Sequence, residues 1–270
     1  MPKIIFITGG SSGIGKAIGE YLTEKGYKVY GTSRNPSNTS KTSAFDLIEM
    51  DVTKEDSIQN AVAEILKRED RIDVLINNAG IGITGPIEET PSSEIRNAFE
   101  TNLYGPISVI KAVLPTMRKQ QSGYIINITS IAGYMGLPYR GIYSATKSAL
   151  EITTEAIRME IKQFGIHVTN IAPGDFATNI AAGRYHSPIL DDSPYKKAYG
   201  NTLNMMNEHV DAGQDPTEMA KTVHKIIETP NPKIHYKVGA FMQKFSIVLK
   251  RVLPDKTYER MLLNHYKLKK

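Results

Sequence analysis

The sequence predicts one α/β domain, a doubly wound, mostly parallel seven-stranded sheet with helices on both faces in three layers. Three observations predict it. Short β-branched runs alternate with longer helix-period segments from residue 3 to about residue 238, the pattern of parallel strands joined by crossover helices. A glycine-rich turn follows the first run directly and opens the first helical segment. At 270 residues the chain can bury a large sheet but is short for two domains, and no repeat, low-complexity tract or linker divides it.

The N-terminal run Ile4-Ile5-Phe6-Ile7 is far too short for a signal sequence and reads as the first strand, near 3–8. The other strands are expected near 27–32, 45–50, 72–76, 123–129, 166–171 and 234–238. Continuous apolar stretches such as Val74-Leu75-Ile76 and Ile125-Ile126 suit strands covered on both faces. Thr53-Lys54-Glu55-Asp56 and Asp215-Pro216-Thr217-Glu218 read as helix starts, each with a side-chain acceptor at the N-cap and an acid following. From residue 240 to 270, Phe241, Met242, Phe245, Val248, Leu249 and Val252 recur at helical spacing, and Pro254 separates them from a second short helical pattern.

Composition narrows the function. There is no cysteine, which excludes disulfides, thiolate metal sites and cysteine nucleophiles and suits a reducing compartment. No stretch of 18 uninterrupted apolar residues occurs, so no spanning helix is expected and the chain is placed in the cytoplasm. The net charge of +5 resides in the tail: residues 231–270 hold ten Lys/Arg against two Asp/Glu, leaving 23 against 26 before them. A basic tail can meet an anionic membrane surface, but a solvated face is the more ordinary use. No nucleic-acid motif accompanies the charge, so no nucleic-acid partner is expected.

Two stretches carry chemistry. In Thr8-Gly9-Gly10-Ser11-Ser12-Gly13-Ile14-Gly15, glycines let the backbone turn tightly and approach a pyrophosphate at a helix N-terminus. Two other motifs overlap it. A P-loop would need a hydroxyl after Lys16, where Ala17 stands; a hydrolase elbow around Ser11 would need an Asp and a His that nothing marks. The second stretch is Tyr143-Ser144-Ala145-Thr146-Lys147, which puts a phenol and an ammonium one helical turn apart. A nearby cation favours the phenolate, so Tyr143 can exchange a proton at neutral pH. Such pairs are also common on solvated helices, and the partners decide.

The spacing Thr-Gly-x-x-x-Gly-x-Gly at Thr8 to Gly15, then Asn77-Asn78-Ala79-Gly80, Ser130, Tyr143 and Lys147, resembles the short-chain dehydrogenase/reductase family over nearly the whole chain. The resemblance implies a Rossmann-type fold and an oxidoreductase interconverting a carbonyl and an alcohol. Tyr143 would then be the general acid and base, Lys147 the ribose ligand, Ser130 the partner of the substrate oxygen, and Asn102 the holder of a relay water or the mender of a helix kink.

It further implies a nicotinamide dinucleotide against Gly9, Ser11, Ser12, Gly13, Ile14 and Gly15, with Asp51 and Val52 at the adenine, Asn78, Ala79 and Gly80 at the ribose, and Pro173, Gly174 and Thr178 at the nicotinamide. At the end of the second strand stand Ser33 and Arg34, a neutral donor and a guanidinium suited to a 2′-phosphate, so NADP(H) is expected over NAD(H), and no metal. Residues 179–214 correspond to the family's substrate lid; Ile180, Tyr185, Ile189, Leu190, Tyr195, Tyr199, Leu203, Met205 and Met206 there suggest an apolar substrate, with Tyr134, Met135, Leu137, Pro138 and Tyr139 as another wall. The C-terminal segment loosely resembles the hydroxysteroid and retinol dehydrogenase branch, which implies a lipid-like or steroid-like ketone or alcohol. A homodimer or homotetramer is implied too. The alternative is a catalytically silent nucleotide-binding regulator or scaffold.

Overall fold

The computed structural model describes residues 1–36, 44–177, 183–211 and 213–268, with the backbone alone at 209–211. Strand β1 (Ile4–Ile7) leads through the glycine turn into α1 (Gly13–Glu24), followed by β2 (Lys28–Ser33), β3 (Asp46–Glu49), α2 (Glu55–Glu69) and β4 (Val74–Asn77). After the two-residue β5 (Ile83–Thr84) come α3 (Ser92–Phe99), a π-turn at Glu100–Tyr104, α4 (Gly105–Gln120), β6 (Gly123–Ile128) and α5 (Gly141–Glu160). The chain continues through β7 (Ile166–Pro173), β8 (Tyr185–His186), α6 (Lys196–Asp211), α7 (Thr217–Ile227), β9 (His235–Val238), α8 (Phe241–Val252) and α9 (Asp255–His265).

The expected sheet is present with all seven strands, in the order β3-β2-β1-β4-β6-β7-β9. Every pairing in it is parallel, so the sheet is wholly rather than mostly parallel. Side-chain alternation explains the layers. Ile4 and Phe6 point to one face, where Ile58 and Ile65 of α2 and Val109 and Val113 of α4 cover them; Ile5 and Ile7 point to the other, under Ile18 and Leu22 of α1 and Val223 and Ile227 of α7. The chain winds outward from β1 through β2 to β3 and returns to β4 on β1's other side. That reversal opens a crevice at the carboxyl ends of β1 and β4, the place such sheets offer a ligand.

Two local expectations are corrected. Helix α2 begins at Glu55 and takes no side-chain cap from Thr53; Asp51 instead accepts from the Thr53 amide at 3.0 Å and its hydroxyl at 2.8 Å, bracing the turn before the helix. The same holds at α7, which begins at Thr217 without a side-chain cap while Asp215 takes the Thr217 amide at 2.8 Å in the turn before it. The C-terminal helices form as expected, but the apolar residues at helical spacing mostly point outward: Phe241 and Val252 are 72% and 74% exposed. The helix docks through Ile247 and Leu249, which pack with Met135, Tyr258 and Leu262. Periodicity found the helix, but with apolar residues on both sides it did not say which side faces inward. No helix among the described residues is long and apolar enough to cross a membrane.

Candidate active site

At the end of β1, Gly9 and Gly13 take positive φ of 67° and 54°, a conformation that L side chains resist, and the chain folds back so that Gly9 lies on Ala79. A Cβ on Gly15 would stand 2.3 Å from the Gly9 carbonyl and 2.5 Å from Asn78 Nδ2. Thr8 and Asn78 lock this arrangement. The Asn78 and Ala79 amides each donate to Thr8 Oγ1 at 3.0 Å, and Asn78 Nδ2 donates to the carbonyls of Thr8 and Gly9. Helix α1 starts immediately after, with no side-chain cap from Ser12 and no acid in its first turn, so its amides and positive dipole end are available to an anion. A pyrophosphate fits such a cradle; Ser11, Ser12 and Ile14 stand in the turn and at the helix start.

The remaining cofactor candidates border the same crevice. Ser33 ends β2 and its hydroxyl accepts from the Asn35 amide at 3.2 Å; Arg34 is exposed beside it. Burial works against the Asp51 carboxylate, but the Thr53 amide and hydroxyl, Lys54 and Arg34 together hold its pKa below the ordinary aspartate value. Val52 packs on Gly105 at the start of α4. Gly80 is tightly placed, since an added Cβ would lie 3.1 Å from Asn102 Oδ1 and 3.3 Å from Lys147 Nζ. Pro173 ends β7 and Gly174 follows it, both at the cavity wall, and Thr178 lies outside the described residues, as does Ile180.

The four candidates for chemistry come from three elements. Tyr143 and Lys147 lie one turn apart on α5, both buried, at 8% and 5% exposure. Lys147 donates to the Ile128 carbonyl at the end of β6 at 3.0 Å; burial lowers its pKa, and the Tyr143 phenol opposes that shift. Ser130 lines the cavity with Tyr143 and also caps the 3-10 turn at Ile131–Tyr134 by accepting from the Ala132 amide at 3.1 Å. Asn102, wholly buried in the π-turn, accepts from the Ile81 amide at 2.8 Å and donates to the Ile81 carbonyl at 2.9 Å and Thr146 Oγ1 at 3.2 Å. It thereby joins the helix irregularity to the strand end that carries Gly80 and to α5.

A cavity of about 370 Å³ opens beside Tyr143 and Ser130. Its walls are mainly apolar: Ile83, Met135, Leu137, Phe176, Met206, Leu249 and Tyr258. Of the expected lid residues, Met206 lines it, while Tyr199 is buried and bonds the Thr84 carbonyl, and Ile189 and Leu190 are largely exposed. Of the other expected wall, Met135 and Leu137 line it. Sequence reasoning missed several polar lining residues, among them Arg140, Asp175, Arg184 and Gln243. Asp175 follows β7, Arg140 and Arg184 stand just before α5 and β8, and Gln243 lies on α8, and no spacing announces that they meet at the cavity. Arg140 stands over the Tyr143 ring, 5.2 Å from its centroid, and Gln243 Nε2 donates to Asp175 at 2.6 Å. No cluster of three or more His, Asp or Glu able to hold a metal occurs among the described residues.

The sequence model described as short chain dehydrogenase matches residues 3–188. A 3-ketodihydrosphingosine reductase from Bacteroides thetaiotaomicron is 39% identical over 270 residues, covering 99% of each chain. Retinol dehydrogenase 8 from Bos taurus is 28% identical over 88% of this chain and 82% of its own. Among solved structures, a short-chain dehydrogenase from Streptomyces avermitilis superposes with a TM-score of 0.83 at 30% identity, covering 99% of this chain and 97% of that one.

Proposed function

The chain belongs to the short-chain dehydrogenase family, and from that premise we propose that it is an NADP(H)-dependent oxidoreductase interconverting a carbonyl and an alcohol on an apolar, lipid-like substrate. The observation that carries the reading is the convergence of Ser130 and Tyr143 on one apolar cavity, with Lys147 behind the phenol and the glycine cradle beside it. When bound, the dinucleotide supplies or accepts hydride at its nicotinamide.

The chain's own residues do the rest. Tyr143 gives a proton to the carbonyl oxygen during reduction and takes it back during oxidation, because it is the lining phenol coupled to a buried ammonium. Ser130 Oγ, already fixed by the Ala132 amide, holds that oxygen in line. Lys147, buried behind the phenol, would hold the ribose through donors beyond the one used on Ile128. Asn102 holds the Ile81 segment and α5 in register, and with them Gly80 and Lys147.

NADP(H) over NAD(H) is supported by Ser33 and Arg34, where no acid stands to repel a 2′-phosphate. The lipid-like substrate is supported by the apolar walls and by the likeness to an enzyme named for a sphingoid ketone. We place the protein in the cytoplasm as a homodimer or homotetramer, with the basic C-terminal segment a solvated face rather than a membrane contact. The test is NADPH and NADH oxidation across ketones of graded chain length. NADPH consumption that rises with chain length is expected; no consumption across the panel would leave a silent nucleotide-binding protein.

A further inference from the structure

Arg184 is 8% exposed and lines the cavity at its Tyr143 end. Its stem is clamped against the backbone, where a Cβ on Gly82 would stand 2.7 Å from Arg184 Cγ. Its Nη1 is buried with no hydrogen-bond partner among the described residues. A guanidinium held out of water with an unused donor is costly unless something pairs with it.

The described residues do not supply that partner. Burial lowers the Arg184 pKa and the like charge of Arg140 adds to this, while Tyr143, Asp175 and Tyr199 pull the other way. Asp175, the one carboxylate among these neighbours, also accepts from Gln243 and stands against two guanidinium groups, Arg140 and Arg184. The cavity therefore has a positively charged end beside the proton donor and an apolar body leading from it towards α8 and α9.

We propose that Arg184 is the binding site for an oxyanion on the substrate, so that the enzyme acts on a ketone or alcohol carrying a carboxylate or phosphate near the reacting carbon and an apolar chain beyond it. The planar fork of a guanidinium matches both groups. The inference rests on the oxidoreductase reading only for which molecule brings the oxyanion; the binding site itself is tested without turnover.

The probes are octanol, octanoate and octyl phosphate, which share a chain, differ in head group and cannot be reduced at a ketone. Each is titrated calorimetrically into the NADP-loaded protein and into Arg184→Met and Arg184→Lys variants. An oxyanion probe is expected to bind about tenfold to a hundredfold tighter than octanol, and whichever of the two does so names the oxyanion. Arg184→Met should erase that preference while leaving octanol and NADP affinity unchanged, and Arg184→Lys should restore part of it. Equal binding of all three probes to the wild type would overturn the proposal. So would a uniform loss in Arg184→Met, or a loss confined to NADP. Failure of every ketone to turn over, with the oxyanion preference intact, would sink the redox reading and leave this site standing.

Discussion

Glu151 lies on α5 one turn beyond Lys147 and is 6% exposed. It accepts from Thr129 Oγ1 at 2.8 Å. Burial pushes its pKa from 4.5 up to about 7, with the like charge of Glu155 in support and the hydroxyls of Thr129 and Tyr134 and the Lys237 ammonium opposing. A carboxyl whose folded pKa is raised stabilises the fold while it stays protonated. That contribution is complete below the unfolded value of about 4.5, declines as pH rises and is gone above about 7. Lifting the pKa this far corresponds to about 3 kcal/mol.

Glu151→Gln keeps a neutral, hydrogen-bonding side chain at every pH. Relative to wild type it should be neutral at pH 4.5 and about 3 kcal/mol more stable at pH 8, a rise in Tm of roughly 6–10 °C for a chain of this size. Thermal melts of both proteins at pH 4.5, 6 and 8 read the difference directly. A variant no more stable than wild type at pH 8, or one offset equally at all three values, would refute the reasoning.

Asn102→Ala removes three hydrogen bonds and strands the Ile81 amide and carbonyl, so urea melts should show a loss of about 2–4 kcal/mol; less than 1 kcal/mol would deny Asn102 its place in the scaffold. Gly15→Ala puts a methyl against the Gly9 carbonyl and Asn78, and NADPH fluorescence titration should show binding weakened at least about tenfold. Gly136→Ala, whose Cβ meets nothing within 4 Å and whose backbone is outside the left-handed region, should bind normally and serves as the control. Arg34→Asp should weaken NADPH far more than NADH in the same titration, and equal losses would remove Arg34 from phosphate recognition.

The strands were legible because each is a short apolar run between turn residues, and the parallel sheet follows from the crossover helices that separate them. The glycine cradle was legible for a related reason: Gly9, Gly13 and Gly15 stand where a side chain is excluded by neighbours or backbone angle. What the sequence left open is set by tertiary packing. Helical spacing alone did not reveal that Ile247, rather than Phe241 or Val252, faces the core. Nor does anything local mark Arg184, whose burial depends on Gly82, a hundred residues away in the chain, passing close against it. The helix start at residue 55 was misassigned because Thr53 and Asp51 both offer an oxygen, and the tighter turn engages Asp51.

Tyr143 is the group proposed to move the proton, and Tyr143→Phe removes only that oxygen from a residue already packed among Ile83, Ala98 and Ala132. Single-turnover reduction of a long-chain ketone should slow by about 10²–10⁴-fold while NADPH affinity holds, since a positioned acid contributes on that order. A variant that turns over as fast as wild type, with its cofactor equally well bound, would contradict the assignment outright.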